Sequence, residues 1–275
     1  MSAALIGRCA ALIVAALALG WAFLRWFERA NLYFPDRTLY AHPGSFGLAY
    51  REARFPAADG VRLHGWFVEK SPGAPLIILC HGNAGNISNR LEKLRLLLEA
   101  GASVLLFDYR GYGGNEGRPS EQGTYLDGEA ALRYATGVLK LDPSRVVLHG
   151  ESLGAAVAAE TALRHPVGGL ILESGFTSVP DMARLLLPWL PVRLVSLRYD
   201  TLSKIGRIRC PVLVMHSPQD EIVPYEMGRR VFAAAREPKT FAALSGGHNE
   251  GFLESERVFV ASVRKFLDDA APAKL

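Results

Sequence analysis

From residue 76 onward the chain alternates short apolar runs with longer amphipathic stretches, and that rhythm leaves few architectures open. The runs at 76–80, 103–109, 145–148, 169–173, 211–216 and 240–244 are strand-sized and nearly free of polar alternation. Strands covered on both faces read this way. Between most of them lie stretches of helical period, at 89–100, 121–140, 152–165 and 225–235, and a last one at 254–269 closes the series. Two earlier segments, 49–55 and 61–68, flank an Asp59-Gly60 turn, and the second alternates with period two, which predicts an antiparallel hairpin. The expectation is an α/β fold: a mainly parallel sheet of about eight strands with helices on both faces. The interval 179–209 breaks the rhythm. It is rich in leucine, and Pro188 and Pro191 forbid a long helix, so a short cap over the C-terminal edge of the sheet is expected there.

The amino-terminal segment follows a different rule. Residues 9–24 carry no charge, and with their flanks they approach the ~20 apolar residues that a membrane span requires. Trp21, Trp26 and Tyr33 stand where an aromatic belt would meet the bilayer surface. An A-x-A site occurs at 16–18, but the apolar run continues past it. Residues 1–30 are therefore expected to be an uncleaved single-pass anchor, against the rival of a cleaved signal peptide. Arg8 and the amino terminus on one side face Arg25, Arg29 and Arg37 on the other, a bias that leans toward a cytoplasmic position for the domain at 31–275. A net charge of +4 without a dense Lys/Arg cluster argues against a nucleic-acid partner. Cys9, Cys80 and Cys210 show no regular spacing, which predicts free thiols, and no CxxC or His/Cys cluster points to a metal.

Gly150-Glu151-Ser152-Leu153-Gly154 joins the predicted strand at 145–148 to the predicted helix at 152–165. A serine in that setting sits on a sharp, strained turn with its hydroxyl exposed at the helix start, and small residues on either side prevent clashes. A serine hydroxyl is a weak nucleophile and needs a base within hydrogen-bond reach. His248, in Gly246-Gly247-His248-Asn249 after the last strand, is the histidine that this topology brings to the same edge of the sheet. His42, His64 and His165 lie in less suitable places, and His81 reads as an organiser of its own loop. The base needs a carboxylate to fix its tautomer. Asp220, after the strand at 211–216, is the preferred acid, with Glu221 beside it and Glu173 at the end of the preceding strand as alternatives. An oxyanion needs N–H donors as well. Leu153 is expected to supply one, and Asn83 in the loop His81-Gly82-Asn83-Ala84-Gly85-Asn86 the other.

With HGNAGN at 81–86, DYRGYG at 108–113, GESLG at 150–154, SPQDEIVP at 217–224 and GGHN at 246–249, the chain resembles the Bem46-type α/β-hydrolases, relatives of the ABHD13 and ABHD17 proteins. The resemblance covers essentially everything after the anchor. It implies the α/β-hydrolase fold, an N-terminal membrane segment and serine hydrolase chemistry, and the ABHD17 relatives remove palmitoyl groups from protein cysteines. Serine aminopeptidase labels also attach to such sequences. Where the family usually has serine, this chain has Asn115, whose side chain can still accept a local backbone hydrogen bond. Tyr109, Arg110 and Tyr112 read as structural residues of that loop.

The favoured reading is a membrane-anchored esterase or thioesterase that acts on a small-molecule or acyl substrate through a Ser152–His248–Asp220 triad. It needs no cofactor. An aminopeptidase or amidase would require acidic groups for a substrate ammonium, and Asp181 and Asp200 are the acids of the predicted cap. A non-catalytic, membrane-tethered scaffold is the third reading.

Overall fold

The doubly covered apolar runs find their partners in one eight-stranded sheet. The structure is a computed structural model and describes residues 3–271, so the first two residues of the expected anchor and the last four of the expected domain lie outside them. In chain order the strands are β1 (Arg51–Pro56), β2 (Arg62–Val68), β3 (Leu76–Cys80), β4 (Ser103–Phe107), β5 (Val146–Glu151), β6 (Gly169–Glu173), β7 (Val212–His216) and β8 (Lys239–Ala243). They lie side by side as β1-β2-β4-β3-β5-β6-β7-β8. The expected hairpin is present, with β1 antiparallel to β2 and β2 antiparallel to β4. All the other pairings are parallel. Because β4 lies on one side of β3 and the chain then returns past β3 to β5 on the other, the direction of the connections reverses here, the setting in which a crevice forms at the C-terminal ends of β3 and β5.

Side-chain alternation divides the core in two. Leu76, Ile78 and Cys80 of β3 point to one layer, shared with α3 (Glu121–Gly137) and α4 (Leu153–Arg164). Ile77 and Leu79 point to the other, shared with α2 (Leu91–Glu99) and a C-terminal helix at Glu256–Ala270. An alanine-rich α4 lets this helix lie close to the sheet and to α3, where a Cβ on Gly128 would stand 2.8 Å from Thr161 Oγ1.

The structure departs from the expectations in three places. The last helical stretch is two helices, Gly251–Glu254 and Glu256–Ala270, parted at Ser255, whose hydroxyl is bonded to the backbone of Ser245. That bond closes the loop that carries His248. In the cap interval, α5 (Val179–Leu186) and the coil after it stand over the sheet edge, but Tyr199, Ile205 and Ile208 are buried in the main core. The arch is therefore shorter than 179–209. Finally, α1 runs from Ala3 to Leu32 without a break, past the end set by hydropathy, and Phe34–Pro35 then pairs in parallel with Ala84–Gly85. Thirty residues give α1 a length of about 45 Å. It is long and apolar enough to cross a bilayer.

Candidate active site

Ser152 follows β5 and immediately precedes α4, with φ 52° and ψ −115°. A non-glycine residue pays on the order of 1–3 kcal/mol to hold such a conformation, so its surroundings must impose it. They do so by close packing. A Cβ on Gly150 would lie 2.4 Å from Ala155 Cα, and one on Gly154 would lie 1.9 Å from the Cys80 carbonyl oxygen. The Ser152 N–H donates to the Glu173 carbonyl at 2.9 Å, which ties the turn to β6.

The three remote residues converge. His248 Nε2 lies 3.0 Å from Ser152 Oγ, and His248 Nδ1 lies 2.8 Å from Asp220 Oδ2. The second oxygen of Asp220 accepts the N–H groups of Ile222 at 3.0 Å and Val223 at 2.7 Å. Burial pushes the Asp220 carboxyl up, but hydrogen bonds from His216 and His248 more than reverse this and hold it well below the usual carboxylate range. It stays ionised and accepts from Nδ1–H, which leaves Nε2 free to take a proton from Oγ. The two alternative acids are engaged elsewhere. Glu221 accepts the backbone N–H of His248 at 3.0 Å, and Glu173 lies inside the core bonded to Lys93 and His149.

Both expected N–H donors border the space above Ser152. Leu153 is the first residue of α4, where no carbonyl one turn back exists to occupy its N–H. Asn83 lines the same cavity and is held from several sides. Its carbonyl accepts from Phe34 N–H at 2.9 Å and from the Tyr112 hydroxyl at 2.7 Å, while its Nδ2 donates to the Leu32 carbonyl at 2.9 Å. Tyr109 donates to the His81 carbonyl at 3.1 Å. Arg110 is locked by Asp127 and Asp59, and the His81 ring is fully buried against Tyr109 and Tyr112. These loop residues are spent on structure. Asn115 also holds its turn, though as a donor, with Nδ2 2.7 Å from the Asp108 carbonyl.

The cavity encloses about 500 Å³ and is lined mainly by apolar side chains from α5 and the following coil, from Phe176 and from the last turns of α1. Its size falls in the range of small-molecule sites, roughly 300–1,000 Å³.

Residues 75–200 match the family model described as the alpha/beta hydrolase fold. A Mycobacterium tuberculosis protein, Rv2307c, is 41% identical over 96% of this chain and 97% of its own. Bem46 of Schizosaccharomyces pombe is 31% identical over 78% of this chain and 76% of its own. The chain belongs to the Bem46-type α/β-hydrolases. Among solved structures, the Pyrococcus furiosus esterase Pf2001 superposes with a TM-score of 0.73, covering 87% of this chain and 98% of that one. At 18% identity this likeness concerns the fold.

Three parts of this Bem46-type site escape a reading of the motifs. First, Lys93 of α2 is buried under the serine turn, with Nζ 2.8 Å from both Glu151 Oε2 and Glu173 Oε1. Arg90 adds a contact to Glu151 at 3.2 Å, and His149 one to Glu173 at 2.8 Å. Burial raises the Glu151 carboxyl, but Arg90 and Lys93 together hold it far below its ordinary value, and Lys93 and His149 lower Glu173 in the same way. A lysine on the apolar face of a predicted helix was the available signal. Second, His216 at the end of β7 places Nε2 2.9 Å from the Val223 carbonyl and 3.2 Å from Asp220 Oδ2. A carbonyl only accepts, so Nε2 carries the proton and steadies the loop of Asp220. Third, Phe27, Asn31 and Leu32 of α1 form one wall of the cavity. Hydropathy marks α1 as a span and is silent on its far end.

Proposed function

We propose that this chain is a membrane-anchored serine hydrolase that cleaves a carboxylic ester or thioester through an acyl-enzyme. The observation that carries the reading is the pair of contacts made by one imidazole, 3.0 Å to Ser152 Oγ and 2.8 Å to Asp220 Oδ2. In the proposed sequence Oγ attacks the substrate carbonyl while His248 Nε2 takes the hydroxyl proton. The Leu153 and Asn83 N–H groups stabilise the resulting oxyanion, each contributing on the order of 3 kcal/mol to the transition state. His248 then passes its proton to the departing alcohol or thiol, leaving Ser152 acylated. Water, deprotonated by the same imidazole, releases the acid and regenerates the serine.

The lining of the cavity favours an acyl group over a charged amine. Glu28 is its one carboxylate among the described residues, and it is paired with Arg25 at 3.1 Å and accepts the Ser196 N–H at 2.8 Å. Asp181 and Asp200 are occupied as well, by Thr177 and Arg184 and by the Ser203 N–H. Among the described residues that line the cavity, an aminopeptidase has no unengaged acid to hold its substrate ammonium. Anchoring is supported by α1, which passes through 16–18 as continuous helix and ends as part of the cavity wall.

Labelling with a fluorophosphonate probe is the direct test. Wild-type protein is expected to label and Ser152→Ala to remain blank. Folded wild-type protein that does not label would support a scaffold. Hydrolysis of aminoacyl-nitroanilides with no action on p-nitrophenyl acyl esters would overturn the ester preference.

A further inference from the structure

The segment over the cavity presents a second apolar surface, directed outward. Leu185, Leu186, Trp189 and Leu194 are 54%, 66%, 69% and 47% exposed. Four large apolar side chains within ten residues of one arch is more than scattered surface hydrophobicity, and a soluble surface would not keep such a patch without an occupant. Arg193 and Arg198 stand exposed beside it.

The arch is fastened to α1 at one level. Arg25 donates to the Leu194 carbonyl, and buried Glu28 accepts both the N–H and the hydroxyl of Ser196. Arg25 and Glu28 are also the first charged residues after the uncharged run of α1, and Trp26 between them is exposed. In a bilayer this is the level at which a spanning helix leaves hydrocarbon and meets headgroups. An apolar patch clamped there continues the lipid-facing surface of the helix.

We propose that the arch is a second bilayer-contacting element. Leu185, Leu186, Trp189 and Leu194 enter the same leaflet interface as the end of α1, and Arg193 and Arg198 meet anionic headgroups, in the manner of interfacial segments that pair apolar burial with basic flanks. Leu186 belongs to both surfaces, exposed outward and lining the cavity, so the space above Ser152 opens at the lipid boundary. This rests on α1 as an uncleaved anchor and on the cavity as the hydrolytic site. It adds that substrate carried in the leaflet enters without crossing water.

The test uses the full chain reconstituted in vesicles of equimolar phosphatidylcholine and phosphatidylglycerol. With Trp21 and Trp26 changed to phenylalanine, the remaining tryptophans are Trp189 and the buried Trp66. Brominated acyl chains should quench the Trp189 contribution, and aqueous iodide should not. In a second arm, the Leu185→Asp/Trp189→Asp variant keeps every residue lining the cavity. It should hydrolyse a soluble short-chain ester as wild type does, yet lose at least about tenfold in rate on a long-chain ester embedded in the vesicles, since each buried side chain supplies more than enough partitioning energy. Iodide quenching without bromolipid quenching overturns the proposal, as does an unchanged rate on the embedded ester. Protection of Trp189 from both quenchers with a cross-linkable dimer assigns the patch to a second copy and overturns it too. If the soluble ester is not hydrolysed by wild type, the ester reading fails, while the quenching arm still reports on the bilayer contact.

Discussion

Lys93→Met isolates the charge network beneath the Ser152 turn. Methionine keeps an apolar stem of similar reach and removes the ammonium that stands 2.8 Å from two carboxylates, Glu151 and Glu173. Breaking a buried ion pair from one side costs roughly 3–5 kcal/mol, because the abandoned charge stays buried. Each carboxylate here retains one partner, Arg90 or His149, which sets the expectation at the lower end, about 3 kcal/mol. At about 2–4 °C per kcal/mol for a domain of this size, the melting temperature falls by roughly 6–12 °C. The pH dependence carries the sign. In the wild type both carboxyls are held below the ordinary 4.5, so their contribution is present above that value and is lost as pH falls through the lowered native one. Without Lys93, burial raises both groups, and the folded variant gains stability by taking up protons as the solution is acidified. The gap to wild type should therefore narrow from pH 8 toward pH 5. Urea unfolding in mild detergent at several pH values measures it, and adding Glu173→Gln should recover part of the loss at neutral pH. A deficit below about 1 kcal/mol at neutral pH, or one indifferent to acid, refutes the reasoning.

Asp220→Asn should lower kcat on an acyl ester by roughly 10⁴, the effect of fixing the wrong tautomer, whereas Glu221→Gln should cost far less because Glu221 accepts only a backbone N–H. Comparable losses in the two variants would exchange their roles. Across p-nitrophenyl esters of increasing length, kcat/KM should rise about fourfold per methylene, the equivalent of ~0.8 kcal/mol, until the cavity is filled, and Leu186→Trp should move that limit to shorter chains. A flat series would mean that the acyl group lies outside the cavity. Gly154→Ala should yield little folded protein, since the new Cβ would meet the Cys80 carbonyl at 1.9 Å and neither backbone can yield. Soluble expression followed by circular dichroism reads this out, and a native-like variant would show that the turn is looser than its packing indicates.

The order of the sheet's strands and of the long helices, the turn at 150–154 and the three residues that meet there were legible in the chain, whereas the break at Ser255 and the far end of α1 were not. Periodicity is local: an apolar run of five residues or a Gly-x-Ser-x-Gly between strand and helix announces itself within its own length. Even the preference for Asp220 over Glu173 follows from position along the topology: Asp220 Oδ2 lies 2.8 Å from His248 Nδ1, and Glu173 is turned into the core toward Lys93. The engagement of Glu221 by the N–H of His248 was not legible, because adjacent acids differ there only in how one loop folds.

What the sequence determined by itself is the alternation that forces a covered parallel sheet, a helix long enough to span a bilayer, and a serine on a strained turn between strand and helix. Only the tertiary structure decided that Lys93 lies buried under that serine, that Asn83 is fastened to Leu32 and Phe34, and that Glu28 clamps the arch through Ser196. The physical reason is distance along the chain. Propensity and patterning act over a few turns, but a buried charge or a cavity wall exists only once segments separated by tens to hundreds of residues have excluded water from one another.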